Sequence, residues 1–502
     1  EGDEMDVDAL LLLGAAVLLV AVLAARLGSR AGLPSLLIFL AVGMALEPFG
    51  WRMDDADLAH ALGFAALVFI LGEGGLTTRW GDIRGSLGVA GLLATVGVAV
   101  SVGLVAAFVH FGFGLPLPTA VLLGAITAPT DSAAVFSVLR AVPLPARVRA
   151  TLEGESGLND APIVLLVATA TSWSMGRLPE GGPVVVLGLI LGELAAGLAL
   201  GAAIGWLGAL LLKRVALPSS GLYPLATMGV IVLAYGLGVQ LHVSGFAAVY
   251  VCAVILGNSD LPHRGATRSF AEGVGWVSQI GLFVMLGMLA TPQRLTAEAV
   301  VMGLLIGGFV TFVARPLSVL ACASWFRIPL REQAFVTWAG LRGAVPIIMA
   351  TVPLAARTPH ADEIFDAVLV FVVGFTLLQA PTLGWVGRRL GIVRDDEAID
   401  IGVEVAPLDR IQADFMQVTV PELSRLNGVT VQELRLPPLT VVATIIREGG
   451  PVPVEPTMRL RGGDELLIVV PSRNRPLVEE RFRQISAGGR LAHWVARRAG
   501  EA

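Results

Sequence analysis

Thirteen apolar runs, at 8–27, 33–48, 58–76, 86–110, 118–139, 151–175, 183–212, 221–240, 243–257, 274–290, 298–323, 334–355 and 365–387, constrain this chain more than any other feature. A helix needs roughly 20 mainly apolar residues to cross about 30 Å of hydrocarbon, where each backbone polar group must be satisfied within its own segment. With 55% hydrophobic and 15% charged residues and a mean hydropathy of +0.77, most of the chain has to face lipid or lipid-buried neighbours. The expected fold class is an all-α polytopic membrane protein with thirteen transmembrane helices, followed by a small cytoplasmic α/β domain. The residues before the first run are acidic, unlike the basic flank of a secretory signal, so that run reads as a retained span.

Lys and Arg concentrate on the cytoplasmic side of membrane proteins. Alternate loops here carry sixteen of them, from Arg26 to Arg394, against only Arg52, Arg177, Arg294 and Arg357 on the other side. The expected topology therefore has the N-terminus outside and the C-terminus in the cytoplasm, in a bacterial inner membrane, with residues 1–392 as the membrane domain. An acidic linker, 393–412, leads to short strand-like runs at 414–420, 440–447 and 464–471, within a soluble domain at 413–472. Beyond it, 473–502 holds a polar helical stretch near 476–485 and a basic tail with Arg490, Trp494, Arg497 and Arg498. That tail reads either as a frayed terminus or as a contact for anionic headgroups.

The formal charge of −5 and the lack of a Lys/Arg block leave no footprint for nucleic acid. Cys252 and Cys322 lie in apolar runs without metal-ligand spacing. An intramembrane serine protease would need a histidine near Ser156, yet His60, His110, His242, His263 and His360 fall at span ends or in loops and His493 in the tail. No catalytic dyad is formed, and the chain does not read as an enzyme.

Charged groups at bilayer depth cost about 3 kcal/mol each on insertion scales and mark function when they persist. Five places stand out: Asp131 after Thr127-Ala-Pro-Thr, the run from Glu153 to Asp160, Arg315, Arg342, and Glu73 between glycines. Pro129 should break the fifth span beside Thr130 and Asp131, and Gly340-Leu-Arg-Gly-Ala-Val-Pro346 should break the twelfth around Arg342. The breaks lie seven spans apart, an odd offset that reverses direction in the membrane. Spans four to six and eleven to thirteen would then be inverted repeats flanking a midplane site. On the sixth span, Ser156 and Asp160 are one turn apart on one face, with Glu155 and Asn159 beside them. A desolvated carboxylate there lets protons compete with a metal cation for the same oxygens. Glu155 and Arg315 read as a mutually neutralising pair.

The Thr130-Asp131 break, Glu155-Ser-x-x-Asn159-Asp160, Arg315-Pro and Gly340-Leu-Arg-Gly-Ala-Val-Pro together resemble the monovalent cation/proton antiporters over the whole membrane part. The run from Leu426 to Val470 looks like the C-terminal half of a regulator-of-potassium-conductance domain, also called TrkA-C, a combination similar to NhaP-type potassium/proton antiporters of the cell-volume-regulation kind. The resemblance implies a homodimer working by elevator-type alternating access, exchanging K⁺, or Na⁺, for H⁺ without a resident cofactor. It implies that Asp160 and Asp131 bind the monovalent cation with Ser156 and Thr130, and that Asn159 supports the crossing. Glu155 and Arg315 would form a core ion pair, Arg342 would balance charge at the breaks, and Glu73 would be a further ligand. Asn159-Asp160, in place of two aspartates, implies electroneutral exchange. Ser132, where many sodium-transporting relatives have proline, puts sodium selectivity in doubt. A nucleotide is the regulator that the soluble domain implies, with a purely structural dimer clamp as its alternative. A channel would need a Thr-Val-Gly-Tyr-Gly-like filter, which the sequence lacks, and an organic-anion symporter would not need the Asp131, Asn159 and Asp160 cluster.

Overall fold

The computed structural model describes residues 7–31, 35–49, 51, 53, 55–131, 144–177, 182–290, 293, 295–392, 403–408, 413–421, 424–471 and 474–489. The chain divides into two compact units, the first ending at Leu390 and the second holding the residues from Gly391 on together with Arg140–Pro145.

In the first unit, seven described helices are long and apolar enough to cross a membrane: Ala56–Thr77, Leu87–Phe113, Val185–Arg214, Leu222–Gln240, Arg264–Leu289, Ala297–Phe326 and Ala361–Arg389. Shorter apolar helices include Ser35–Leu46, Leu117–Thr127, Gly245–Asn258 and Ala344–Ala355. Ala146–Ser174 has the length of a span but carries the charged Glu153–Asp160 motif. The helices pack in two groups: one joins Ser35–Leu46, Ala56–Thr77, Gly182–Arg214, Leu222–Gln240, Gly245–Asn258 and Arg264–Leu289. The other joins Leu117–Thr127 and Ala146–Ser174 with the helices that follow Ala297. Without a hydrophobic drive between helices in lipid, close packing replaces it. At Gly201 the Ala248 backbone comes so near that any Cβ would overlap it.

Two long helices contain a π-turn. Val310–Ala314 precedes Arg315-Pro316, whose proline lacks an amide and crowds the carbonyl four residues back, so the ladder widens there. The second, Leu93–Gly97, has the Cys322 thiol donating to Leu92 O at 3.4 Å, which gives this cysteine a structural use.

The second unit is a five-stranded antiparallel sheet in the order β1 (Val403–Leu408), β2 (Ala413–Thr419), β5 (Glu465–Pro471), β3 (Val441–Arg447), β4 (Gly450–Val452). Alternation along β2 and β5 buries Met416, Val418, Leu466, Ile468 and Val470 on one face. Val478, Phe482 and Ile485 of the helix Arg475–Gly488 close that core. The three runs expected as strands are β2, β3 and β5. β1 falls inside the segment expected as linker, and β4 was not foreseen. The basic tail from Arg490 lies outside the described residues.

Candidate functional site: a buried cluster at two interrupted helices

The helix Leu117–Thr127 ends just before Pro129, and Ala128, its C-cap, keeps α-region angles of φ −72° and ψ −39°. Ala128 to Asp131 then run without helix hydrogen bonds, and the second half of the expected span, with Ser132, lies outside the described residues. The other interruption spans Gly340 to Gly343, between Leu330–Trp338 and Ala344–Ala355. The two cross: Asp131 N–H donates to Leu341 O at 2.9 Å, and Ala344 N–H donates to Asp131 Oδ2 at 3.2 Å. Asp131 thus caps the N-terminus of Ala344–Ala355, where the helix dipole favours a negative charge. A Cβ on Gly343 would overlap the Asp131 carboxylate, so only glycine permits the approach.

Ala146–Ser174 brings its motif against the same crossing. Ser156 Oγ donates to Thr130 O at 2.9 Å, and Asn159 Nδ2 donates to Thr130 Oγ1 at 3.1 Å. Thr130, Asp131, Ser156, Asn159 and Asp160 are all buried. Asp160 Oδ1 and Asn159 Oδ1 have no hydrogen-bond partner among the described residues. Buried oxygens left unpaired are costly and are the donor type that a hard monovalent cation takes.

Glu155 and Arg315 form a bidentate pair, Nη1 to Oε1 at 2.5 Å and Nη2 to Oε2 at 2.9 Å, with both side chains 4% exposed. Nη2 also donates to Val336 O at 3.3 Å. Arg342 is buried, its Nη1 donates to Gly340 O, and its own carbonyl accepts from Thr376 Oγ1 at 2.8 Å. Among the described residues of this unit, the buried carboxylates are Asp131, Glu155 and Asp160 and the buried guanidiniums Arg315 and Arg342, a net charge of −1 with all ionised.

Of the residues singled out in the sequence, Thr130, Asp131, Ser156 and Asn159 meet through hydrogen bonds at the crossing or the site helix, with Asp160 next in the motif. Glu73 sits on Ala56–Thr77, where its side-chain carbons lie against Gly275. The sequence reading did not find Thr376, or Gln379, whose Nε2 donates to Trp338 O at 3.2 Å. Nor did it find Tyr250, buried against Gly157. The first two were visible only as polar residues inside an apolar run.

A bundle of membrane-length helices that unwinds at a crossing lined by buried carboxylates defines a secondary transporter for small cations. Residues 15–389 match the sodium/hydrogen exchanger transmembrane family profile, and residues 415–483 match the TrkA-C domain. The chain belongs to the sodium/hydrogen exchanger family. It is 32% identical over 489 residues to the K(+)/H(+) antiporter NhaP2 of Shewanella oneidensis, covering 96% of this chain and 84% of that one. It is 34% identical over 453 residues to the K(+)/H(+) antiporter NhaP of Alkalimonas amylolytica, covering 86% and 76%. The solved sodium proton antiporter MjNhaP1 of Methanocaldococcus jannaschii shares the fold, with a TM-score of 0.64 at 22% identity over 77% of this chain and 99% of that one.

Proposed function

We propose that this protein exchanges one monovalent cation, K⁺ in preference to Na⁺, for one H⁺ across a bacterial inner membrane. The observation that carries the proposal is the buried cluster, with a net charge of −1 and, among the described residues, no partner for Asp160 Oδ1 or Asn159 Oδ1. One K⁺ or one proton offsets that charge, so the two compete for one site and each exclusion drives the exchange. In this reading Asp160 and Asp131 hold the cation with Ser156, Thr130 and Asn159, and Glu73 is a further ligand. Arg342 holds the charge of the interrupted helices in balance, and the Glu155–Arg315 pair fixes the core.

Potassium is favoured because the relatives that match most of the chain are named K(+)/H(+) antiporters. Sodium is the second reading, favoured by the Na(+)/H(+) antiporter NhaP of Pseudomonas aeruginosa, 26% identical over 361 residues. The remaining features of the proposal are a homodimer, thirteen spans with inverted repeats, an outside N-terminus and a cytoplasmic C-terminus. Elevator motion is supported by the division of the helices into two groups, which meet where Ala344–Ala355 and Ala146–Ser174 pack against the first. Residues 413–472 are proposed as the regulatory module, binding a nucleotide whose differential affinity for two conformations shifts the transport equilibrium.

Proteoliposomes loaded with a pH dye test the proposal: K⁺, Na⁺ and Rb⁺ are added in turn, with the voltage set by valinomycin and a K⁺ gradient in separate runs. Proton flux driven best by K⁺ and insensitive to voltage is expected. Flux that changes several-fold with voltage would contradict one-for-one exchange. Deleting 400–502 should leave flux measurable and alter only its pH or ligand dependence.

A further inference from the structure

Gly157 lies between Ser156 and the Asn159-Asp160 pair, and its place is taken by a residue from the other helix group. A Cβ built on Gly157 would fall 2.5 Å from both Cζ and Oη of Tyr250, on Gly245–Asn258. The tyrosine ring therefore docks directly on the backbone of the site helix, in a notch that only glycine leaves open. Tyr250 is 8% exposed. Its hydroxyl sits beside that of Thr78 and within electrostatic reach of both Glu153 and Asp160. Thr78 Oγ1 itself donates to Gly74 O at 2.6 Å, which fixes its place beside the tyrosine.

Glu153, Gly157 and Asp160 follow one another at helical spacing on one face of Ala146–Ser174. With a rise of about 1.5 Å per residue, a carboxylate stands about one turn from the Tyr250 hydroxyl in either direction. The hydroxyl is thus a polar group that the first helix group presents to the Asp160 face. Resting on the cation-exchange reading above, we propose that Tyr250 is a positioning residue of the cation site. Its ring sets the depth of the site helix against Gly245–Asn258, and its hydroxyl orients the Asp160 carboxylate toward the crossing.

Tyr250→Phe keeps the ring in the notch and removes only the hydroxyl. In K⁺-driven proteoliposome flux beside the wild type, the apparent KM for K⁺ should rise about three- to tenfold, the scale of losing one buried polar partner, while the maximal rate stays within about twofold. Thr78→Val, which removes the hydroxyl beside that of Tyr250, should raise KM in the same direction by less. A KM within twofold of wild type in Tyr250→Phe, whatever its rate, overturns the proposal. If that variant does not yield monodisperse protein, an unchanged KM in Thr78→Val overturns it instead. Wild-type protein that moves no protons on cation addition would instead refute the exchange reading, and this inference with it.

Discussion

Breaking the Glu155–Arg315 pair by one side should cost more than removing both partners. Each side chain is 4% exposed, and the guanidinium makes two bonds to the carboxylate and one to Val336 O. Glu155→Leu would leave a buried cation with one carbonyl, and Arg315→Met a buried carboxylate, each costing about 3–5 kcal/mol. At about 2 °C per kcal/mol for a unit of this size, either single change should lower the melting temperature by about 6–10 °C. The double variant leaves no charge to desolvate and fills the space with apolar atoms, so its loss should be smaller than either single loss. A temperature ramp in mild detergent, with size-exclusion recovery as the readout, gives all four corners of the cycle. Single losses that simply add in the double variant would show that the two groups are not coupled, and would refute the neutralising role.

Gly343→Ala should abolish exchange while leaving the folded protein recoverable, because its Cβ needs the space of the Asp131 carboxylate; near-normal flux would contradict the crossing described. In the soluble unit, Asp464 accepts from Arg447 at 2.8 Å on both oxygens and from Arg461 N–H at 2.7 Å. Burial alone would raise its carboxyl, but these donors outweigh it and hold it below the usual carboxylate range. Its stabilisation is therefore full above about pH 4 and fades as pH falls through the lower folded value. A 400–502 fragment and its Asp464→Asn variant should differ most in melting temperature near pH 7 and converge below about pH 4, whereas a pH-independent gap would contradict the pairing.

The interruptions were legible because proline and glycine act on their own neighbours: Pro129 and the Gly340–Pro346 run mark both breaks without any tertiary information. Helical spacing likewise put Ser156 and Asp160 on one face. The Tyr250 notch was not legible, since it depends on which helix lies across from Gly157, and neither residue is unusual in its own segment. Thr376 and Gln379 were hidden for the same reason: their partners are carbonyls within and just before the second interruption. β1 was taken as linker because it follows the acidic run Asp395 to Asp400, and it contains Pro407, which removes a ladder donor. At the sheet edge, where β1 pairs only with β2, that loss is tolerated. β4, three residues long, is too short to display an alternation.

The central claim is that Asp160 carries cation and proton in turn through one buried site. The most direct test is K⁺-driven proton flux through Asp160→Asn in proteoliposomes, beside wild type reconstituted at the same density. The variant keeps the side-chain size and loses the exchangeable charge. Wild-type flux with none above the protein-free liposome background in the variant, at unchanged size-exclusion behaviour, is the expected result. Wild-type-like flux through Asp160→Asn would contradict the account.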